Sequence, residues 1–443
     1  MIRNPKLYSS GTSSSITYCF ILILLFFIAL ALLCFRNIFV FDHPQLFAED
    51  GTWLARGINE GWKTFFLSVR PDYFTWINCL VLFVSFKICT LIFGSINNIV
   101  EVIAVVSNAF LALIAILFFS TLRKQTNLRI SFFGFFLFLL LPFGNTNNEI
   151  LGRSLQLGFF CPFLGYLLCF HREDKWKRFF SDVGIFLCIA TNPLTIVPVV
   201  LTFLPQFFKV KSLKKIINAN LFLSLGVSFL VGAISIKMLT SPSITGGIPI
   251  GFNIANLWEL ILAREALYPF VFFTYSHLTN ISLTVIALSY FCYLFCGYLY
   301  STGKNREELG VTLLSFFVVC LATVVMRPGL TIFLDDFTST FPDRYFITCN
   351  LFSVYVFLLS SYALLTKSNC TKKLVIGALI LVATIYLSKW KLIFDWPVSK
   401  YPMNTFPSFH EQITKVNGEK RLDIQLAPNT PAWRINLPSA LIK

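Results

Sequence analysis

Three short polar stretches interrupt an otherwise apolar sequence, and each holds residues suited to chemistry. The first reads Phe47-Ala48-Glu49-Asp50-Gly51-Thr52-Trp53, just past a long apolar run. A carboxylate tuned by burial and neighbours can take the proton of an attacking hydroxyl. The second runs from Pro142 to Arg153 and contains Glu149 and Arg153. The third holds Arg327, the pair Asp335-Asp336, and then Asp343-Arg344-Tyr345. Guanidinium groups meet phosphate oxygens in a bidentate fashion and stabilise charge that develops on a leaving group. An acid next to arginines therefore suits deprotonation of a hydroxyl while a phosphate departs.

Each stretch also has a plainer reading. Glu49 and Asp50 suit a helix N-terminus beginning near Thr52. Glu149 and Arg153 have the i,i+4 spacing of a helix-surface pair. Asp343 and Arg344 suit a loop ion pair, and Asp335-Asp336 is a weak motif for a divalent cation. Trp258 and Tyr268 lie near the ends of apolar runs, where aromatic residues anchor at a membrane interface.

The elements that would position these groups are set by composition. Of 443 residues, 56% are apolar and 13% charged, against about 25% charged in soluble domains. Runs near or above the ~18 residues needed to cross a bilayer recur along the chain. This predicts an all-α polytopic membrane protein of about eleven transmembrane helices. The transmembrane domain spans about 1–390, and a small outer segment of about 391–443 carries short strands. The first run, Ile16 to Phe35, lacks a small-x-small cleavage site and reads as a retained helix. The net charge of +15 is split among short loops, which argues for membrane topology and against nucleic acid. The twelve cysteines show no metal-ligand spacing, and no cofactor is expected from sequence, which leaves dependence on a divalent metal open.

Lys and Arg mark the cytoplasmic loops. Arg3 and Lys6 put the N-terminus inside, and Arg123, Lys124, Arg129 and Arg172 to Arg178 mark two further inner loops. Both stay inside only if residues 74–96, long enough to span, lie along the outer surface. The charge pattern therefore favours an outer loop of about 41–98 containing juxtamembrane helices. Spans are predicted at about 99–121, 130–142, 155–170, 216–236, 281–300, 310–326, 346–365 and 373–388. Two shorter helices, about 180–191 and 194–208, hinge at Asn192-Pro193. This arrangement puts the three polar stretches on one membrane face and the C-terminus outside.

With those features in place, the sequence resembles the GT-C superfamily of membrane glycosyltransferases. The resemblance lies in an order of features. An acidic pair precedes Trp53 in the first outer loop, and surface helices follow, ending near Phe93-Gly94. A basic turn comes next, then a Pro-containing span exit leading to a polar loop (Pro142 to Arg153), and then a helix pair broken at Asn192-Pro193. Within the superfamily the chain is most similar to serotype-converting O-antigen glucosyltransferases of enteric bacteria and phages, Phe-rich chains with an early Glu-Asp-Gly-type loop and an outer tail. The superfamily order is Asp then Glu, whereas this chain has Glu49 then Asp50.

The resemblance implies transfer of a sugar, glucose by that likeness, from an undecaprenyl-phosphate donor. The acceptor would be a lipid-linked O-antigen or other surface glycan, on the periplasmic face of the bacterial inner membrane. Glu49 or Asp50 would act as base. Glu149, Arg153, Arg327, Asp343, Arg344 and Tyr345 would bind substrate, with membrane lipids around the donor's tail. Two rivals predict other features. An O-antigen polymerase calls for an Arg-rich outer loop in the second half, where 237–280 holds only Lys237 and Arg264. A flippase calls for polar groups at mid-span, where Glu101 and Asp182 fall near span ends.

Overall fold

The computed structural model describes residues 12–70, 72–143, 150–210, 220–240, 260–274, 277–325, 343–394, 407–414, 421–427 and 434–442. The chain is mostly helical. The helices used below are α1 (Thr12–Arg36), α2 (Ala48–Glu60), α3 (Trp62–Ser68), α4 (Trp76–Ile88), α5 (Ile99–Gln125), α6 (Leu128–Leu139) and α7 (Cys161–Leu168). They continue with α8 (Lys175–Thr191), α9 (Ile196–Val210), α10 (Leu221–Thr240), α11 (Asn280–Tyr300), α12 (Gly303–Val325), α13 (Ile347–Leu365) and α14 (Asn369–Ser388). A π-helical turn, Cys89–Phe93, extends α4, and a second, Leu260–Leu267, precedes α11.

Among the described residues, eight helices are long and apolar enough to cross a membrane: α1, α4 with its π turn, α5, α10, α11, α12, α13 and α14. Their surfaces divide sharply. Nearly all of α13 is buried, whereas α1, α10, α11 and α14 bury only a small share of their length. The exposed side of α1 carries Ile16, Phe20, Ile23, Leu24 and Phe27, and that of α11 carries Ile281, Val285, Leu288 and Phe295. Contiguous apolar surface on this scale needs an apolar solvent. α13 is thus the axis of the bundle, and the outer helices face lipid.

Helix direction follows from paired side chains. Tyr18 near the start of α1 meets Ser120 near the end of α5 at 3.1 Å, and Asn108 in the first half of α5 donates to Cys34 Sγ at 3.6 Å. α1 and α5 are therefore antiparallel. The chain between them, including α4, leaves and returns at the same end of the bundle. That end is called here the Asp50 end, and the opposite one the Gln125 end.

Helix boundaries depart from the hydropathy pattern where charged residues join a helix without joining the apolar run. α12 begins at Gly303, not near 310, because Lys304 and Glu308 pair at 3.1 Å within its first turns. α8 begins at Lys175, not near 180, because the Asp174 side chain caps it by accepting from Lys177 N at 2.9 Å.

Two strands close the chain. β1 (Arg421–Gln425) pairs antiparallel with β2 (Arg434–Pro438), in a register that sets Leu422 opposite Leu437 and Ile424 opposite Ile435. Alternation turns those four side chains inward. The hairpin docks on the Asp50 end. Ala48 N donates to Ala427 O at 2.6 Å, Ala427 N to Leu46 O at 2.8 Å, and Phe409 N to Pro44 O at 2.7 Å. His410 Nε2 meets Glu101 Oε1 at 2.7 Å.

Candidate functional site

The acidic pair opens α2. Phe47, in extended conformation, occupies the N-cap position, and no side chain caps the helix. Glu49 and Asp50 are therefore first-turn residues, not caps of a helix starting near Thr52. There they favour the positive end of the helix dipole. As neighbours on the helix they point about 100° apart, which separates their fates. Glu49 is half-buried, and its charge favours the cationic form of Arg70. Asp50 faces inward and is 2% exposed. Gly51 lets the chain dock this deeply, since a Cβ there would lie 2.3 Å from Leu426 Cδ2 of the C-terminal segment.

Asp50 is anchored through one oxygen. Ser154 Oγ donates to Oδ1 at 2.7 Å, and Leu155 N donates to the same atom at 2.9 Å. Oδ2 is buried and has no hydrogen-bond partner among the described residues. Burial pushes the carboxyl above its ordinary value. The Ser154 hydroxyl, the Arg153 charge and the Leu155 amide offset that only in part. A carboxyl with one oxygen fixed, one unpartnered and a raised affinity for protons is suited to accept a proton.

The segment carrying Ser154 is held residue by residue. Asn37 Nδ2 donates to Leu151 O at 2.7 Å, and Gly152 N donates to Asn108 Oδ1 at 3.0 Å. Arg153 Nη1 donates to Gln45 O at 3.0 Å, and its guanidinium lies 5.1 Å above the Phe47 ring. Asn78 Nδ2 donates to Ser154 O at 2.6 Å and also to Leu155 O. Gly152 has φ +68, and a Cβ would meet Asn37 Nδ2 at 2.6 Å, so this turn requires glycine on two counts. Arg153 lies beyond this turn, outside any helix, so it is not half of a helix-surface pair. It is a buried cation, 2% exposed, beside the Asp50 carboxylate.

The same segment leads to the third polar stretch. The short 3-10 helix Leu155–Phe159 follows it directly. Phe159 packs edge-on against Tyr345 at 5.3 Å, and Thr348 Oγ1 donates to Phe159 O. Arg344 stands 5.3 Å over the Tyr345 ring. Asp343 begins the 3-10 turn Asp343–Phe346 that leads into α13. The structure thus joins Asp50, Arg153, Arg344 and Tyr345 into one region at one end of the bundle. Glu149, Arg327, Asp335 and Asp336 lie outside the described residues.

A second ion-pair group flanks the site. Arg70 and Asp72 form a bidentate pair with both contacts at 2.8 Å, and Arg70 stacks 4.6 Å from the Tyr73 ring. Burial alone would push the Asp72 carboxyl up, but the hydrogen bonds and charge of Arg70 together bring it below its ordinary value.

Sequence reasoning missed Ser154, Asn78, Asn108 and Gln45, which carry no motif. Tyr268, expected at a membrane interface, is buried under Arg264 at 5.6 Å because the Leu260–Leu267 turn enters the bundle. Two cavities complete the picture. An apolar groove of about 590 Å³ runs between α11 and α12 to the Leu260–Leu267 turn, with Ala266, Phe291, Leu294, Phe317 and Cys320 among its walls. A smaller polar cavity of about 250 Å³ lies at the Gln125 end, beside Glu308 and Lys367.

No protein-family model, curated protein or solved structure matches the chain.

Proposed function

We propose that the chain is a membrane glycosyltransferase of GT-C type. It moves a sugar, glucose in our reading, from undecaprenyl phosphate to a hydroxyl of a lipid-linked O-antigen or similar surface glycan. The observation that carries this reading is the Asp50 carboxyl, buried and anchored through Oδ1, with Oδ2 unpartnered among the described residues. Asp50 is the base. Oδ2 takes the proton of the acceptor hydroxyl as its oxygen bonds to the anomeric carbon and the bond to phosphate breaks. The leaving polyprenyl phosphate gains negative charge, which Arg153 and Arg344, with Arg327, offset. The donor's apolar tail lies in the groove between α11 and α12, which opens to a hydrocarbon layer about 30 Å deep.

The remaining topology follows the same reading. About eleven helices span the bacterial inner membrane, with residues 74–96 along the outer surface. Lys124, Glu173 and Lys177 form an ion-paired cluster at the Gln125 end, and Lys304 and Lys367 lie at that end too. Basic loops of this kind face the cytoplasm, which turns the Asp50 end and the C-terminal hairpin to the periplasm.

The test is transfer in membranes containing the protein, with undecaprenyl-phosphate-glucose as donor and host lipopolysaccharide as acceptor, read by mass. A gain of one hexose per glycan repeat supports the reading. Longer glycan chains without that gain would assign a polymerase instead. No change in either would exclude this donor and acceptor.

A further inference from the structure

Glu265, Cys320 and Cys349 converge in the bundle interior, although no spacing in the sequence links them. Glu265 sits in the Leu260–Leu267 π turn, Cys320 near the end of α12, and Cys349 near the start of α13. One ligand atom from each lies within 4.8 Å of the other two. Cys349 Sγ is 3.6 Å from Glu265 Oε1. Ligand atoms around a tetrahedral zinc ion lie about 3.5–3.8 Å apart, given Zn–S of about 2.3 Å and Zn–O of about 2.1 Å. The cluster is thus near the size that an ion would draw together.

Two independent observations point to a ligand. Glu265 is 0% exposed, and its Oε2 atom has no hydrogen-bond partner among the described residues. A carboxylate so placed is costly unless it is paired or ligated. The turn that carries it is π-helical, a distortion that is costly in itself and frequent at functional sites. That turn is also fixed from both sides. Ser353 Oγ of α13 donates to Ala266 O, and just beyond the turn Tyr386 OH of α14 donates to Pro269 O at 2.9 Å.

We infer that Glu265, Cys320 and Cys349 form a binding site for a thiophilic divalent cation, zinc in the first instance, that fastens the π turn to α12 and α13. Two thiolates and a carboxylate bind the ion as both thiol protons, and the proton of the buried Glu265 carboxyl, leave to solvent. The resulting assembly carries one net negative charge. Three protein ligands leave a fourth position for water. Cys320 also lines the apolar groove beside Ala266, which supplies a way in. The site is separate from Asp50 and does not depend on glycosyl transfer.

The experiment uses the full chain, purified in detergent without chelators from cells grown with zinc, and titrated with cadmium when metal-free. About one zinc per chain, with an absorption spectrum of zinc bound to sulfur and oxygen, is expected. The cadmium form should show the ultraviolet charge-transfer band of thiolate ligation. The C320S/C349S variant should lose both metal and band, and E265Q should weaken retention beyond the ~10-fold that removal of a group behind a ligand typically costs. The C161S/C188S variant, which removes another pair of buried thiols, should retain both. Because the wild-type spectra stand alone, a variant that fails to fold leaves the test decisive. Absence of metal and band in the wild type overturns the inference. So does full retention in C320S/C349S, or a disulfide joining Cys320 to Cys349 in unreduced protein.

Discussion

The hydroxyl of Ser154 donates to Asp50 Oδ1 at 2.7 Å across 104 positions of sequence. This bond fixes one oxygen of the carboxylate and leaves Oδ2 without a partner among the described residues. It distinguishes Asp50 from Glu49, which is half-buried beside Arg70. If Asp50 is the base, D50N should lower transfer by roughly 10²–10⁴-fold, the usual worth of a positioned general base. E49Q should stay within about tenfold of wild type, the smaller change expected of a group that acts only through charge. Transfer measured in membranes with equal protein content decides between them. The reverse ranking would move the base to Glu49.

The pH profile follows from the same contacts. Burial raises the Asp50 pKa, and the Ser154 hydroxyl lowers it in part. Transfer should therefore rise with pH through a value above the ordinary carboxylate range of about 3.9. S154A removes a lowering contact, so its acid limb should move to higher pH. A limb that stays in place in S154A while activity falls would assign Ser154 a purely structural role.

Stability carries the opposite sign. A carboxyl whose folded pKa lies above its unfolded value contributes fully below the unfolded value, about 3.9, and that contribution is lost as pH rises through the folded value. D50N keeps the acceptor for Ser154 and Leu155 but carries no charge. Thermal unfolding in detergent should show D50N more stable than wild type near pH 8, and the difference should shrink towards pH 4. An unchanged difference across that range would mean that Asp50 does not titrate with folding.

Gly152 is the hinge on which this segment turns. Its φ of +68 is left-handed, and a Cβ would press on Asn37 Nδ2 at 2.6 Å and on Ala104 Cβ at 3.0 Å. G152A should cost about 1–3 kcal/mol, the range for strain at such a position. It should also reduce transfer by shifting Arg153 and Ser154. A melting temperature equal to wild type would show that the turn relaxes freely.

The C-terminal hairpin holds α2 in place through Leu426, which is fully buried against Gly51. L426A should destabilise this docking by about 2–5 kcal/mol. Limited proteolysis should then cut the segment after residue 394 faster than in wild type, and transfer should fall with it. Accelerated cleavage with full transfer would separate the tail from the site.

Much of this architecture was legible in the sequence because hydropathy is a local property. The apolar runs predicted spans at 281–300 and 346–365, and α11 (Asn280–Tyr300) and α13 (Ile347–Leu365) lie almost on them. The short strands expected within about 391–443 likewise appear as the paired β1 and β2. Helix starts at Gly303 and Lys175 were less legible, since capping and i,i+4 pairs extend helices beyond the apolar run.

The candidate site divides the same way. Sequence alone marked Glu49, Asp50 and Arg153 as polar groups in an apolar chain, and it left the choice between the two acids open. Only the tertiary structure buries Asp50, sets Ser154 and Asn78 around it, and docks Leu426 behind it. It alone assembles Glu265, Cys320 and Cys349. The physical reason is that burial of a polar side chain is decided by partners supplied from distant helices, and nothing in local pattern or spacing encodes which partner arrives.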